Sequence, residues 1–163
     1  MRVVVWLVED TWETTVAAAA ALAPESADLE LLYVIATDAE QVVHGARAGL
    51  LGRRPPAPPP ERRLEAISEQ AAVALLREAR GRLGRAASTE VRRGRVEREV
   101  IGAAGGADLL VMARDGDRSR LGPKSIGPHA RFVIDHAPCQ VLLVWPDEPP
   151  PVSTIPPPKP LAD

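Results

Sequence analysis

The sequence predicts one α/β domain built on a parallel sheet that carries helices on both faces. Two observations predict it. Short apolar runs rich in β-branched residues alternate with segments whose apolar residues recur at three- and four-residue steps. The first pattern is typical of strands covered on both faces, and the second of amphipathic helices. Strands that alternate with helices imply right-handed crossovers, and therefore a doubly wound parallel sheet.

Five segments are predicted as strands. Four are mostly apolar: residues 3–8, which suit the interior of a sheet, and residues 29–36, 107–113 and 140–145. The remaining one, residues 89–93, carries arginines, which suits a sheet edge where one face meets water. The sequence therefore predicts at least one polar edge strand.

The segments between these strands are predicted as helices. Asp10 and Glu13 have the spacing of a capping box, so the first helix is expected over residues 11–23. A long amphipathic helix is expected over residues 61–83, with its apolar face formed by Leu64, Ile67, Ala71, Leu75 and Ala79. Three shorter helices are expected over residues 37–49, 96–104 and 128–136, the last opened by Pro128.

The composition fits one domain over about residues 1–146 and excludes several classes of function. A segment over residues 52–60 and a tail over residues 147–163 are rich in proline, so we expect a stiff excursion and a disordered tail there. The formal charge of −2 argues against nucleic acid as a partner. The apolar start of the chain ends at Glu9, too early for a membrane span, so a soluble cytoplasmic protein is expected.

The predicted topology indicates where a ligand would bind. In doubly wound sheets, ligands lie at the carboxyl ends of the strands, at the point where the strand order reverses. The loops that follow Val8, Val34 and Ala113 are therefore the candidate site.

The second half of the chain resembles a known family. Residues 107–114 read ADLLVMAR, and after a glycine-containing loop residues 127–144 read GPHARFVIDHAPCQVLLV. This sequence is similar to the carboxyl half of universal stress proteins, and the resemblance extends over about residues 2–145. It implies a Rossmann-like five-stranded sheet with strand order 3-2-1-4-5. It also implies a stress-related regulator that binds ATP or AMP, with Mg²⁺ expected only together with ATP.

The resemblance also implies site residues. Nucleotide-binding members of the family carry an Asp after the first strand, a Val at the end of the second, and the motif G-x2-G-x9-G-(S/T). The corresponding positions here are Glu9 with its neighbour Asp10, Val34, Ala113, Gly116, Gly127 and Pro128.

Several of these positions depart from the family pattern. Ala113 stands at the first glycine, and residues 117–126 make the second spacing ten residues long instead of nine. Pro128 removes both a backbone N–H and a hydroxyl donor. In their place, Arg114, Lys124 and Ser125 are candidates for a different phosphate cradle.

These departures leave two hypotheses open. The first is a regulator that binds an adenine nucleotide. The second is a family member that binds no nucleotide and acts as a dimeric interaction module, using the last strand from Val141 to Trp145 as an edge that pairs with a second copy. Since the sequence has no nucleophile elbow, no Walker-type loop and no spaced metal ligands, an enzyme is not supported beyond a weak ATPase. A loop that serves the fold alone also stays open.

Overall fold

The computed structural model describes residues 1–37 and 60–155, with the backbone alone for residues 60–67. Five parallel strands form one sheet in the order β3-β2-β1-β4-β5. The strands are β1 (Arg2–Leu7), β2 (Asp28–Ala36), β3 (Ser88–Gly94), β4 (Leu109–Ala113) and β5 (Gln140–Val144). The predicted fold class and strand order are confirmed.

Four helices flank the sheet in the described ranges: α1 (Trp12–Leu22), α2 (Pro60–Leu83), α3 (Val96–Ala104) and α4 (Pro128–His136). Two short 3₁₀ turns, Pro123–Ser125 and Val152–Thr154, follow β4 and β5 respectively. None of the described helices is long and apolar enough to span a membrane. The predicted helix over residues 37–49, the proline-rich segment up to residue 59 and the tail beyond residue 155 lie outside the described residues.

The alternation of side chains along β1 divides the core into two layers. Val3, Val5 and Leu7 belong to the layer that contains residues of α1 and α2. Val4 and Trp6 belong to the layer that contains residues of α3 and α4. Since successive side chains of a strand point to opposite faces, an unbroken apolar run is what a central strand covered on both sides requires.

The register of the sheet decides which loops meet. β1 pairs with β2 from Arg2–Asp28 to Leu7–Tyr33. β1 pairs with β4 on its other side, so the strand order reverses between β1 and β4. The segments that follow β1, β2 and β4 therefore emerge at the same edge, as the topology predicts.

Two helical details differ from the sequence prediction. The N-cap of α1 is Thr11, with no side-chain hydrogen bond that caps it, so the predicted capping box of Asp10 and Glu13 is wrong. Of the apolar face predicted for α2, Ala79 is buried and Leu75 packs against the core, whereas Ala71 is exposed and the side chains of Leu64 and Ile67 lie outside the described ones. The other buried side chains described in this helix are Ala72, Leu76 and Leu83. Because alanines and leucines occur on several sides of the helix, apolar spacing alone does not define its buried face.

The start of α2 and the segment after β5 also differ from expectation. Pro60, assigned to the proline-rich excursion, is the first residue of α2, where a missing N–H has no cost. Residues 147–155, assigned to a disordered tail, contact the domain: the Asp147 carboxylate pairs with Arg118 at 3.1 Å, and Thr154 accepts a hydrogen bond from the Leu121 N–H at 3.0 Å.

Candidate functional site

A cleft of about 670 Å³ opens at the carboxyl ends of β1 and β2. The ends of the two strands, the loop after β4 and the helices α2, α3 and α4 all contribute to it. The described side chains that line it are Trp6, Leu7, Val8, Glu9, Asp10, Tyr33, Val34, Ile35, Ala36, Ser68, Ala71, Val96, Asp115 and His129. Its size is that of a small-molecule site, and its lining combines apolar side chains with a few polar groups.

One exposed carboxylate of the cleft lining, that of Glu9, is oriented by a hydrogen bond. The Tyr33 hydroxyl donates a hydrogen bond to Glu9 Oε1 at 2.9 Å. Burial, and then the neighbouring Glu9, raise the pKa of Tyr33 to about 12, so the phenol keeps its proton at neutral pH. Glu9 is therefore oriented by a neighbouring strand and keeps its second oxygen as an acceptor.

The loop after β4 folds back on itself. The Gly116 N–H donates to the Ser125 carbonyl at 3.0 Å, and the Asp117 N–H donates to the Lys124 carbonyl at 2.8 Å. A Cβ on residue 116 would lie 2.3 Å from the Lys124 carbonyl oxygen, so this close approach requires glycine. The glycine therefore closes the loop, and its N–H faces a carbonyl of the chain.

A carboxylate of this loop caps α4. Asp115 Oδ1 accepts a hydrogen bond from the N–H of Gly127, the N-cap residue of α4, at 2.7 Å. A Cβ on residue 127 would lie 2.8 Å from the same oxygen, so a larger residue here would displace the Asp115 carboxylate. Asp115 also lines the cleft, which places a negative charge between the cleft and the start of the helix.

Two of the three side chains expected to form an alternative cradle, Arg114 and Ser125, bond to each other. The Ser125 hydroxyl is buried, accepts a hydrogen bond from Arg114 and donates one to the Gly122 carbonyl at 2.7 Å. The Arg114 guanidinium lies over the Trp145 ring at 4.5 Å from its centroid. Lys124 is exposed. Neither Lys124 nor Ser125 is among the described side chains that line the cleft.

The structure thus divides the predicted site residues into two groups. Glu9, Asp10 and Val34 line the cleft together. The others lie at the end of β4, in the loop after it or at the start of α4, and are not among the described lining residues: Ala113, Arg114, Gly116, Lys124, Ser125, Gly127 and Pro128. Sequence reasoning missed Tyr33 and Asp115. Helix N-termini prefer carboxylates, and this preference indicates that an acidic residue caps α4. It does not indicate which one, because Asp115 is far from Gly127 in the sequence.

A buried carboxylate, that of Glu97, lies beside the cleft and contacts two more exposed basic side chains. His129 Nδ1 is 3.0 Å from Glu97 Oε2, and the Arg95 guanidinium is 2.9 Å from Glu97 Oε1. The Glu97 side chain is 8% exposed, whereas His129 is 48% exposed. Hydrogen bonding to its own backbone N–H, and then to His129, lowers the pKa of Glu97 against the opposing effect of burial. Glu97 is therefore an ionised anchor between the starts of α3 and α4.

Two other kinds of functional site would be a metal site and a reactive cysteine in the described part of the chain. Among these residues, no group of three or more histidine, cysteine, aspartate or glutamate side chains is placed to hold a metal ion. Cys139 is a free thiol, and burial raises its pKa, which disfavours the nucleophilic thiolate.

Solved structures share this fold at low sequence identity. The universal stress protein UspA from Lactobacillus plantarum superposes with a TM-score of 0.67 and 20% identity, over 88% of this chain and 97% of that one. A universal stress protein in complex with cAMP gives a TM-score of 0.59 and 18% identity, over 90% and 98% of the two chains. A family member from Arabidopsis thaliana with AMP bound gives 0.54 and 13%, over 91% and 93%.

The family is assigned from the sequence as a whole. No curated protein matches the chain significantly. The family model described as "Universal stress protein family" matches residues 3–144, which cover the five strands of the sheet except for Arg2. The chain therefore belongs to the universal stress protein family.

Proposed function

We propose that this protein is a stress-response regulator that binds an adenine nucleotide or its nucleoside in the cleft at the ends of β1 and β2. The observation that carries the proposal is the lining of the cleft, where the apolar side chain of Val34 lies near the carboxylates of Glu9 and Asp10. A flat base packs well against apolar side chains, and ribose hydroxyls donate well to carboxylates. The cAMP and AMP bound by two proteins of the same fold support an adenine ligand.

The proposal includes narrower points. AMP fits the cleft better than ATP, because the described lining has three carboxylates and no lysine or arginine to compensate for a triphosphate. Mg²⁺ would enter only with ATP, as its counter-ion. We propose no catalytic activity beyond, at most, a slow hydrolysis of ATP. A cytoplasmic location, where adenine nucleotides are abundant, belongs to the same proposal.

Calorimetry on the purified protein tests the proposal. Adenosine and AMP are titrated up to millimolar concentration into the wild type, Ala36→Trp and Ala20→Trp. Ala36 is exposed and lines the cleft, so an indole there fills the binding space, whereas Ala20 is exposed on α1 away from it. We expect the tighter ligand to lose on the order of tenfold in affinity in Ala36→Trp and nothing in Ala20→Trp. Absence of binding by both ligands to the wild type contradicts the proposal.

We also propose that two copies associate through β5. In the observed order β5 is an edge strand, and its side chains from Val141 to Val144 are only partly buried. An apolar edge strand recruits another strand readily, and antiparallel pairing about a two-fold axis satisfies both copies with the same residues. The cleft opens at the ends of β1 and β2, and no residue of β5 is among its described lining residues. The contact through β5 is therefore compatible with a cleft that holds a ligand and with one that does not.

A further inference from the structure

We propose that the cleft selects an unphosphorylated nucleoside over a nucleotide, because the Asp115 carboxylate occupies the anion position at the start of α4. The inference rests on the proposed adenine site and states which class of adenine ligand that site takes.

The first step concerns the helix terminus. The N-terminus of a helix attracts anions through its free N–H groups and its dipole. Here the Gly127 N–H already donates to Asp115 Oδ1 at 2.7 Å, and Pro128 has no N–H to offer. A carboxylate that belongs to the chain therefore already accepts the N–H of the N-cap residue and compensates the positive end of the helix dipole.

The second step concerns the loop donors. Backbone N–H groups of a glycine loop bind phosphate when they point at the ligand. Most of those in this loop donate within the chain instead, namely those of Gly116, Asp117, Ser119, Leu121, Ser125, Ile126 and Gly127. Most of the loop's N–H donors are therefore satisfied without an anion.

The third step concerns charge. Among the described residues that line the cleft, Glu9, Asp10 and Asp115 are acidic, and His129 is the one basic side chain. His129 Nδ1 is already 3.0 Å from the Glu97 carboxylate. A phosphate in this cleft would meet like charges, whereas the hydroxyls and amino group of a nucleoside are neutral donors that carboxylates accept.

The test compares ligands that differ only in phosphate. Adenosine, AMP and ATP are titrated into the wild type, Asp115→Asn and Asp117→Asn. Asparagine at 115 keeps an oxygen for the Gly127 N–H and removes the charge. Asp117 is the matched control, because it is an exposed carboxylate of the same loop that bonds Ser119.

We expect the wild type to bind adenosine at least about tenfold more tightly than AMP, and ATP more weakly still, because of the repulsion between like charges. In Asp115→Asn, we expect the ratio of adenosine affinity to AMP affinity to fall by roughly tenfold. The adenosine affinity itself should change by less than about threefold. Asp117→Asn keeps the wild-type ratio.

The outcomes separate the two proposals. If AMP binds the wild type as tightly as adenosine, or if Asp115→Asn leaves the ratio unchanged, the selectivity inference is overturned while the adenine site stands. If no adenine ligand binds the wild type but AMP binds Asp115→Asn, the site proposal fails and the exclusion of phosphate by Asp115 is supported. If nothing binds either protein, both proposals are overturned.

A measurement on the wild type alone covers the case in which Asp115→Asn fails to fold. Raising the salt from about 0.01 M to about 1 M shortens the Debye length from about 30 Å to about 3 Å. Repulsion at Asp115 then weakens, so AMP affinity must rise relative to adenosine. A ratio that stays constant or moves the other way overturns the inference.

Discussion

Two carboxylates, Glu97 and Asp115, lie at the starts of the two helices that border the cleft. Glu97 is in the first turn of α3, and Asp115 caps α4 from a distant position in the chain. Each compensates the positive end of a helix dipole, and each contacts a backbone N–H. Around this cleft, acidic residues thus stabilise the protein scaffold as well as shaping the site.

The lowered pKa of Glu97 predicts a stability that depends on pH. Because the pKa is below its unfolded value of 4.5, the stabilisation is fully present above pH 4.5 and is lost as the pH falls through the folded pKa. At pH 7, Glu97→Gln is expected to reduce stability by about 1 kcal/mol, since it weakens charge-assisted hydrogen bonds to Arg95 and His129.

Thermal melts between pH 7 and pH 3 measure this effect. The difference in Tm between the wild type and Glu97→Gln is expected to shrink as the solution is acidified, because protonation of Glu97 removes the charge that distinguishes the two side chains. Glu25→Gln serves as the control, since Glu25 is exposed. A Tm difference that stays the same at pH 3 as at pH 7 argues against an ionised Glu97 in the folded protein.

The site could be predicted from the sequence only where topology alone decides position. Glu9, Asp10 and Val34 directly follow or end apolar strands, and parallel strands bring such positions together. Asp115 and Tyr33 could not be assigned in this way. Their roles depend on hydrogen bonds to Gly127 and Glu9, and no periodicity records a contact between side chains on separate elements.

At the scale of elements, the sequence defines some helix ends better than others. The bounds of α3 and α4 agree with prediction, because Gly105 and the pair Ala137–Pro138 end these helices. The start of α1 does not agree: the spacing to Glu13 favours Asp10 as the N-cap, whereas the structure has Thr11, which is also a good N-cap residue. Competing signals at adjacent positions explain this miss.

The open edge of β5 allows a paired test of the dimer proposal. The Gln140 N–H donates to the Asp108 carbonyl and the Val144 carbonyl accepts from Arg114, so alternate residues including Leu142 turn their backbone groups to β4. Leu143 then turns its N–H outward. Leu143→Pro is expected to yield a monomer that still folds, because proline is tolerated on edge strands whose N–H faces outward.

Leu142→Pro is the matched substitution, and it removes a hydrogen bond of the β4 ladder. It is expected to destabilise the fold itself by about 3 kcal/mol. Light scattering after size exclusion gives the mass of each variant, and thermal melts give its stability. A wild type that is monomeric at micromolar concentration contradicts the dimer, whatever the variants do.

At the scale of the whole molecule, the segment after β5 connects distant parts of the domain. Its Pro146 carbonyl accepts a hydrogen bond from the Thr14 hydroxyl of α1 at 2.8 Å. Farther on, Asp147 and Thr154 contact the loop that caps α4, through Arg118 and Leu121. Composition could not predict these contacts, because proline-rich sequence lacks the periodicity that marks packed elements, although single polar groups still find partners.

Thr154→Val tests whether this segment holds the loop in place. Valine keeps the shape of threonine but removes the oxygen that accepts from the Leu121 N–H, so this N–H loses its partner and the loop loses about 1 kcal/mol of stabilisation. Amide hydrogen exchange at Leu121 is expected to become faster by about fivefold, a factor that corresponds to this free energy. Ser153→Ala, an exposed neighbour, should leave the exchange unchanged. Equal exchange rates at Leu121 in all three proteins would mean that the segment lies on the loop without restraining it.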